Sequence, residues 1–112
     1  MEVILKSVRD GLLFDFYGNL LTEKMQGTLD MYLNEDLSLA EIAMEEEISR
    51  QGVHDKVKRA LDQLHSYEEK LGLVDRFLKQ TESINKAINL LDNENYSEAR
   101  EVLSGLSEIM KE

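Results

Sequence analysis

The chain has 112 residues, with 23 acidic and 13 basic side chains, and its formal net charge at pH 7 is −10. This length suits a single small domain, and the absence of proline favours helices throughout, so we expect an all-α fold. Because there is no cysteine, disulfides, thiolate catalysis and Cys-based zinc sites are excluded. No apolar run is long enough for a signal peptide or a membrane span, so we expect a cytoplasmic protein without membrane insertion.

Two helices are predicted before residue 35. The first should cover about residues 3–20 and the second about 23–34, with Thr22 as the N-cap of the second. The positions predicted to be buried repeat at helical spacing. They are Leu12, Leu13, Phe16, Tyr17, Leu20 and Leu21 in the first helix, and Met25, Leu29, Tyr32 and Leu33 in the second.

The segment 38–61 has the apolar spacing of a helix-turn-helix unit. A first helix is predicted at about 39–46, because Ser38 and Glu41 have the spacing of a capping box. A longer helix should cover about 50–70, with Ser49 as its cap. Its predicted buried stripe consists of Val53, Val57, Ala60, Leu61 and Leu64. The four helices together predict a compact four-helix head.

The corner between these two helices departs from the usual pattern. A helix-turn-helix corner normally has an apolar residue followed by Gly or Asn, whereas this chain has Glu46 and Glu47. If the turn is kept, Glu47 must adopt a left-handed conformation, which costs on the order of 1 kcal/mol for a residue with a Cβ.

A small basic island lies on the predicted recognition helix. Residues 1–48 carry a net charge of −8, residues 49–60 carry +3, and residues 61–112 carry −5. A localised positive charge on an otherwise acidic chain favours a polyanion site there. The candidate nucleic-acid-binding residues are Arg50, Gln51, His54, Lys58 and Arg59.

In an alternative interpretation, the charged face of the same helix is exposed to solvent and binds no nucleic acid. Asp55 with Arg59, and Lys58 with Asp62, are i,i+4 pairs of opposite charge, so the cations could already be partnered. The basic residues of one chain are also few, because strong DNA binders typically neutralise about 6 to 10 phosphates. Only a homodimer would approach that number.

The segment after residue 71 is predicted to form a C-terminal helical hairpin. Gly72 could end the long helix, or the helix could continue through it. A turn is expected at residues 92–95, and Asn95 with Glu98 has the spacing of another capping box. We therefore divide the chain into a head, residues 1–71, and a hairpin, residues 72–112, whose apolar face packs on the head or on a second protomer.

No catalytic constellation is recognisable. The sequence has no Gly-rich phosphate loop, no nucleophile elbow and no HExxH motif, so we expect neither an enzyme nor a cofactor. Asp62, His65 and Glu69 could align along one helix, but a matching ligand set on another helix is missing, and we expect no metal site.

The sequence resembles the bacterial YlxM family. The resemblance rests on LLFDFYGNLLTEK at residues 12–24, LAEIA at 39–43, SRQ at 49–51 with Val53 and Asp55, and YEEKL at 67–71. The resemblance implies a fold like region four of bacterial sigma factors and a DNA-binding regulatory or accessory protein. It also implies a link to the signal recognition particle, whose RNA is then a candidate partner. The alternative is an acidic adaptor that docks a basic protein of the targeting machinery without binding nucleic acid.

Overall fold

The structure, a computed structural model, describes residues 7–111. This range contains helices and turns but no strand, which confirms the predicted all-α fold. The helices are α1 (Val8–Tyr17), α2 (Glu23–Leu33), α3 (Leu39–Glu46), α4 (Arg50–Leu71), α5 (Leu73–Asp92) and α6 (Tyr96–Met110).

Helix α1 is shorter than predicted. It begins after Ser7, whose hydroxyl accepts a hydrogen bond from the backbone N–H of Asp10, and it ends in a 3₁₀ turn, Gly18–Leu20. Residues 3–6 of the predicted helix lie outside the described residues. The predicted burial of Phe16 and Leu20 is wrong, since they are 39% and 56% exposed. The 3₁₀ turn breaks the rotation of 100° per residue on which the prediction of Leu20 depended.

Helix α4 is the centre of the head, and α1, α2 and α3 all pack against it. The five apolar positions predicted for its inner face are buried, as are Leu, Tyr and Ile side chains of α1, α2 and α3. This core consists of Leu13, Tyr17, Leu29, Tyr32, Ile42, Val53, Val57, Ala60, Leu61 and Leu64. Burial of this apolar surface is the main source of the head's stability.

Polar side chains also fix α1 to the second half of α4. The Tyr17 hydroxyl donates a 2.7 Å hydrogen bond to the buried carboxylate of Glu68, which lies 3.5 Å from the guanidinium of Arg9. One turn away, Nε2 of His65 lies 3.2 Å from the buried carboxylate of Asp10. Each buried carboxylate therefore has a partner, as burial of a charge requires.

Gly72 ends the long helix, which resolves the alternative left open by the sequence. It has φ +64°, a left-handed conformation that glycine adopts without a Cβ penalty, and its N–H donates to the carbonyl oxygen of Glu68 at 2.8 Å. At this residue the chain divides into two compact units, the head and a hairpin that begins at Leu73.

Within the hairpin, α5 and α6 pack against each other and bury Ala87, Ala99 and Leu106. The predicted capping box at Asn95 is wrong, because the Asn95 side chain makes no capping hydrogen bond. Instead the backbone closes the turn: Glu94 has φ 60°, and the Asn95 N–H donates to the Leu90 carbonyl at 2.8 Å.

No helix within residues 7–111 is both long enough and apolar enough to cross a membrane.

Candidate nucleic-acid interface

The corner between α3 and α4 is formed as the sequence predicts. The Ser38 hydroxyl and the Glu41 carboxylate make both hydrogen bonds of the capping box at the start of α3. Glu47 has the left-handed conformation φ 58°, ψ 41° that the turn requires. The Ser49 hydroxyl then accepts a 2.9 Å hydrogen bond from the N–H of Gly52 and caps α4. These contacts fix the direction in which α4 leaves the corner.

Three of the five predicted contact residues are exposed on the first three turns of α4. They are Arg50, Gln51 and Arg59. Gln51 and Arg59 lie on the outer side of the helix, opposite the buried stripe of Val53 and Val57. Arg50 lies two turns before Val57 on the side of the stripe, and it is exposed because it is the first residue of α4. A nucleic acid could reach these side chains without any change in the head.

The Lys58 ammonium is only partly accessible to a nucleic acid. Its side chain is half-buried, and its ammonium lies 3.5 Å from the carboxylate of Asp62 in an i,i+4 ion pair. This is one of the two pairs that the alternative interpretation expects. A pair of this kind at the surface contributes little to stability and opens readily.

His54 occupies a different environment from the other four residues. Its side chain is only 6% exposed and lies in the head core. Position 54 lies four residues after Arg50 and three before Val57, on the border of the buried stripe, which is the sequence signal that would have placed it inward. Its ring would have to leave the core to reach a base, so we leave His54 out of the proposed contact surface.

The Asp55 carboxylate contacts two neighbouring side chains on the exposed part of α4. Its carboxylate lies 3.3 Å from Nδ1 of His54 and accepts a 2.9 Å hydrogen bond from the Gln51 amide. The contact with His54, then that with Gln51, lowers the pKa of Asp55 below its ordinary value of 3.8, and the positive charge of Arg59 adds a smaller contribution. Asp55 therefore places a negative charge among the residues that would face a phosphate backbone.

A contact between the corner and α4 was not foreseen from the sequence. The Lys56 ammonium lies 3.0 Å from the Glu46 carboxylate, which also accepts a hydrogen bond from the Thr28 hydroxyl. The three residues belong to α4, α3 and α2, so this cluster joins three helices. Lys56 and Glu46 are ten positions apart, beyond the range of helical pair rules. One of the four cations of the basic island therefore has a structural role.

The aligned Asp62, His65 and Glu69 do not form a metal site. Within residues 7–111, no group of three or more His, Asp or Glu side chains is placed to hold a metal ion. His65 contacts Asp10 of α1 instead.

Comparisons with known proteins agree with this geometry. The sequence model of a family described as "Putative helix-turn-helix protein, YlxM / p13 like" matches residues 4–103. A UPF0122 protein of Desulforamulus reducens is 49% identical over 100 residues, which cover 89% of this chain and 86% of that protein. One from Acetivibrio thermocellus is 54% identical over 80 residues, covering 71% and 66%. One from Bacillus cereus is 38% identical over 106 residues, covering 93% and 96%. The chain thus belongs to the YlxM/p13-like family of helix-turn-helix proteins.

Proposed function

We propose that this chain is a non-enzymatic regulatory or accessory protein that binds nucleic acid through the N-terminal end and the outer face of α4. The proposed contacts are made by Arg50, Gln51, Lys58 and Arg59. The observation that carries the proposal is the exposure of Arg50, Gln51 and Arg59 on a helix that begins directly after a helix-turn-helix corner. In helix-turn-helix proteins this second helix lies in the major groove, and its N-terminal residues contact the base edges.

The identity of the bound nucleic acid is part of the proposal. The family resemblance implies an accessory role near the signal recognition particle in the cytoplasm, so we propose both duplex DNA and the structured RNA of the particle as ligands to test. Gln51 can donate and accept hydrogen bonds at a base edge, whereas the arginines can contact either phosphate or guanine.

Two copies are proposed to act together. Within the basic island, Lys56 contacts Glu46 and Lys58 contacts Asp62, which leaves Arg50 and Arg59 as the more accessible cations. Binding through so few phosphates would be weak, because affinity grows with the number of phosphates neutralised. A homodimer doubles the number of contacts.

A salt titration of binding tests this proposal. Fluorescence anisotropy would measure affinity for labelled duplex DNA and for a structured RNA at several salt concentrations. We expect log affinity to fall linearly with log salt, and Arg50→Ala/Arg59→Ala to reduce the slope by about 2 per protomer if each arginine contacts one phosphate. Lys79→Ala/Lys86→Ala, which removes two exposed cations from α5, is the control and should leave the slope unchanged. Equal losses in the two double variants would refute the α4 site.

A second candidate function is supported by the paired cations. With Lys56 and Lys58 bound to carboxylates, and Asp55 and Asp62 on the outer side of α4, the head could instead present an acidic surface to a basic protein of the targeting machinery. The same salt series separates the two candidates. An adaptor would bind the basic protein, would not bind nucleic acid, and would bind at least as tightly after Arg50→Ala/Arg59→Ala.

A further inference from the structure

We propose that one face of the C-terminal hairpin binds the same face of a second copy of this chain. This inference deepens the proposed homodimer and rests on it. The face, called here the hairpin face, consists of large apolar side chains that are between 44% and 62% exposed. They are Ile84, Ile88 and Leu91 of α5, and Tyr96, Leu103 and Met110 of α6.

These side chains form one continuous surface. Ile84, Ile88 and Leu91 follow each other at spacings of four and three, and Tyr96, Leu103 and Met110 at spacings of seven, so each set lies along one side of its helix. Leu91, Tyr96 and Leu103 line a common groove, which shows that the two stripes lie on the same side of the hairpin. The hairpin face therefore runs across both helices.

The shape of this surface suits interlocking helices. The groove is completed by Arg100 and by the small side chains of Ala99, Ser104 and Ser107, which leave a depression beside Leu91 and Leu103. A protruding side chain from another helix, such as Ile88 of a second copy, could occupy that depression as knobs do in packed helices. Two hairpins joined in this way about a two-fold axis would form a four-helix bundle.

The size of the face is compatible with a weak to moderate dimer. A helix of the length of α5 is roughly 30 Å long, and two packed helices are roughly 20 Å wide, so the face offers about 600 Å². Stable interfaces bury about 800 Å² per partner, and weak ones somewhat less. We therefore expect a dissociation constant in the micromolar range.

The distribution of charge favours a second copy over a basic partner. Residues 1–72 carry a net charge of −7, whereas residues 73–112 carry −3, and α5 by itself carries three acidic and three basic side chains. A basic protein would be attracted to the head rather than to α5. Two copies of a chain with net charge −10 repel each other, and this repulsion is smallest where the local charge is balanced. Two copies that meet through the hairpin face therefore repel each other less than two heads would.

Sedimentation equilibrium on the full chain, without nucleic acid, tests the inference. The test compares Ile88→Lys with the matched control Ile109→Lys. Ile109 is 57% exposed but lies about 120° around α6 from Leu103, outside the hairpin face. Circular dichroism would check that both variants remain helical, as expected for substitutions at exposed positions.

We expect the unmodified chain to form a dimer, Ile88→Lys to weaken it at least about tenfold, and Ile109→Lys to change it less than about twofold. Added salt should leave the dimer unchanged or strengthen it, because it screens the repulsion between copies, whereas it should weaken nucleic-acid binding. A chain that stays monomeric at about 200 μM, well above a micromolar dissociation constant, would overturn the inference. So would equal effects of the two substitutions. Either result would leave the α4 site intact, since that site is tested separately through Arg50 and Arg59.

Discussion

Glu47 holds a backbone conformation that favours glycine. Its φ of 58° places a side chain with a Cβ in the left-handed region, and this arrangement lets the chain turn between α3 and α4. The strain is local, and the capping hydrogen bonds at Ser38 and Ser49 on either side of the corner help to maintain the turn.

Replacing Glu47 with glycine should therefore stabilise the head. We expect Glu47→Gly to raise the free energy of unfolding by about 0.5 to 1 kcal/mol, because the left-handed penalty is removed while the turn is kept. Urea denaturation would measure the change. Gly72→Ala is a control with the opposite expected effect. Because φ at Gly72 is +64°, this substitution should lower the free energy of unfolding by about 1 kcal/mol. A loss of stability in Glu47→Gly would show that the glutamate side chain makes a compensating contact.

Asp55 gives a pH-dependent signature of the same region. Its pKa is lowered chiefly by the contact with His54 and also by the Gln51 hydrogen bond, so the folded carboxyl should titrate below 3.8. A lowered folded pKa means that this contribution to stability is present above pH 3.8 and is lost as the pH falls through the lowered value.

Side-chain NMR titration of Asp55 would measure that pKa directly. Gln51→Ala should raise it part of the way towards 3.8, because one of the two hydrogen bonds is removed and the contact with His54 remains. A pKa at or above 3.8 in the unmodified chain would contradict the hydrogen bonds assigned to this carboxylate.

At the scale of the elements, the cluster of Thr28, Glu46 and Lys56 joins α2, α3 and α4. Lys56→Ala should lower the free energy of unfolding by about 1 to 2 kcal/mol, because the partly buried Glu46 carboxylate loses a charged partner. Lys58→Ala is the control: its pair with Asp62 is more exposed, and its loss should cost less than about 0.5 kcal/mol.

For nucleic-acid binding we expect the reverse order, with Lys58 contributing more to affinity than Lys56. Lys56 is occupied in the cluster, so we expect Lys56→Ala to change affinity less than Lys58→Ala does. Equal effects in anisotropy measurements would show that Lys56 leaves Glu46 when nucleic acid binds.

The sequence predicts elements well where local chemistry decides them. The starts of α2, α3 and α4 were predicted correctly from Thr22, Ser38 and Ser49, because a capping side chain acts on its own first turn. The inner face of α4 followed from its helical period. The prediction failed at Leu20, where a 3₁₀ turn changes the rotation, and at Asn95, where backbone hydrogen bonds replace the cap.

The candidate site was less predictable, because burial and pairing depend on distant residues. Arg50 and Gln51 were proposed as contact residues from their place after the corner, and both are exposed. His54 lies on the border of the buried stripe, and only the packed head shows that its ring points inward. The partner of Lys56 comes from another helix, so no spacing rule identifies it. Likewise, nothing local to Tyr17 indicates its hydrogen bond to Glu68, 51 positions later.

At the scale of the whole molecule, the two compact units are proposed to have different tasks. The head presents the exposed start of α4, and the hairpin presents an apolar face. In this account nucleic-acid binding and self-association use separate surfaces, so each can be removed without the other. The net charge of −10 opposes both nucleic-acid binding and self-association, because phosphate groups and a second copy of the chain are also negatively charged. Binding should therefore depend on the local arrangement of a few residues.

NMR mapping of the amide signals during titration with duplex DNA and with a structured RNA tests most directly whether α4 binds nucleic acid. We expect signals from residues 50–59 to shift with one of these ligands, and those of Ile84, Ile88 and Leu91 to stay unchanged. Shifts confined to other parts of the chain, or no shifts with either ligand at low salt, would contradict the claim that the outer face of α4 binds nucleic acid.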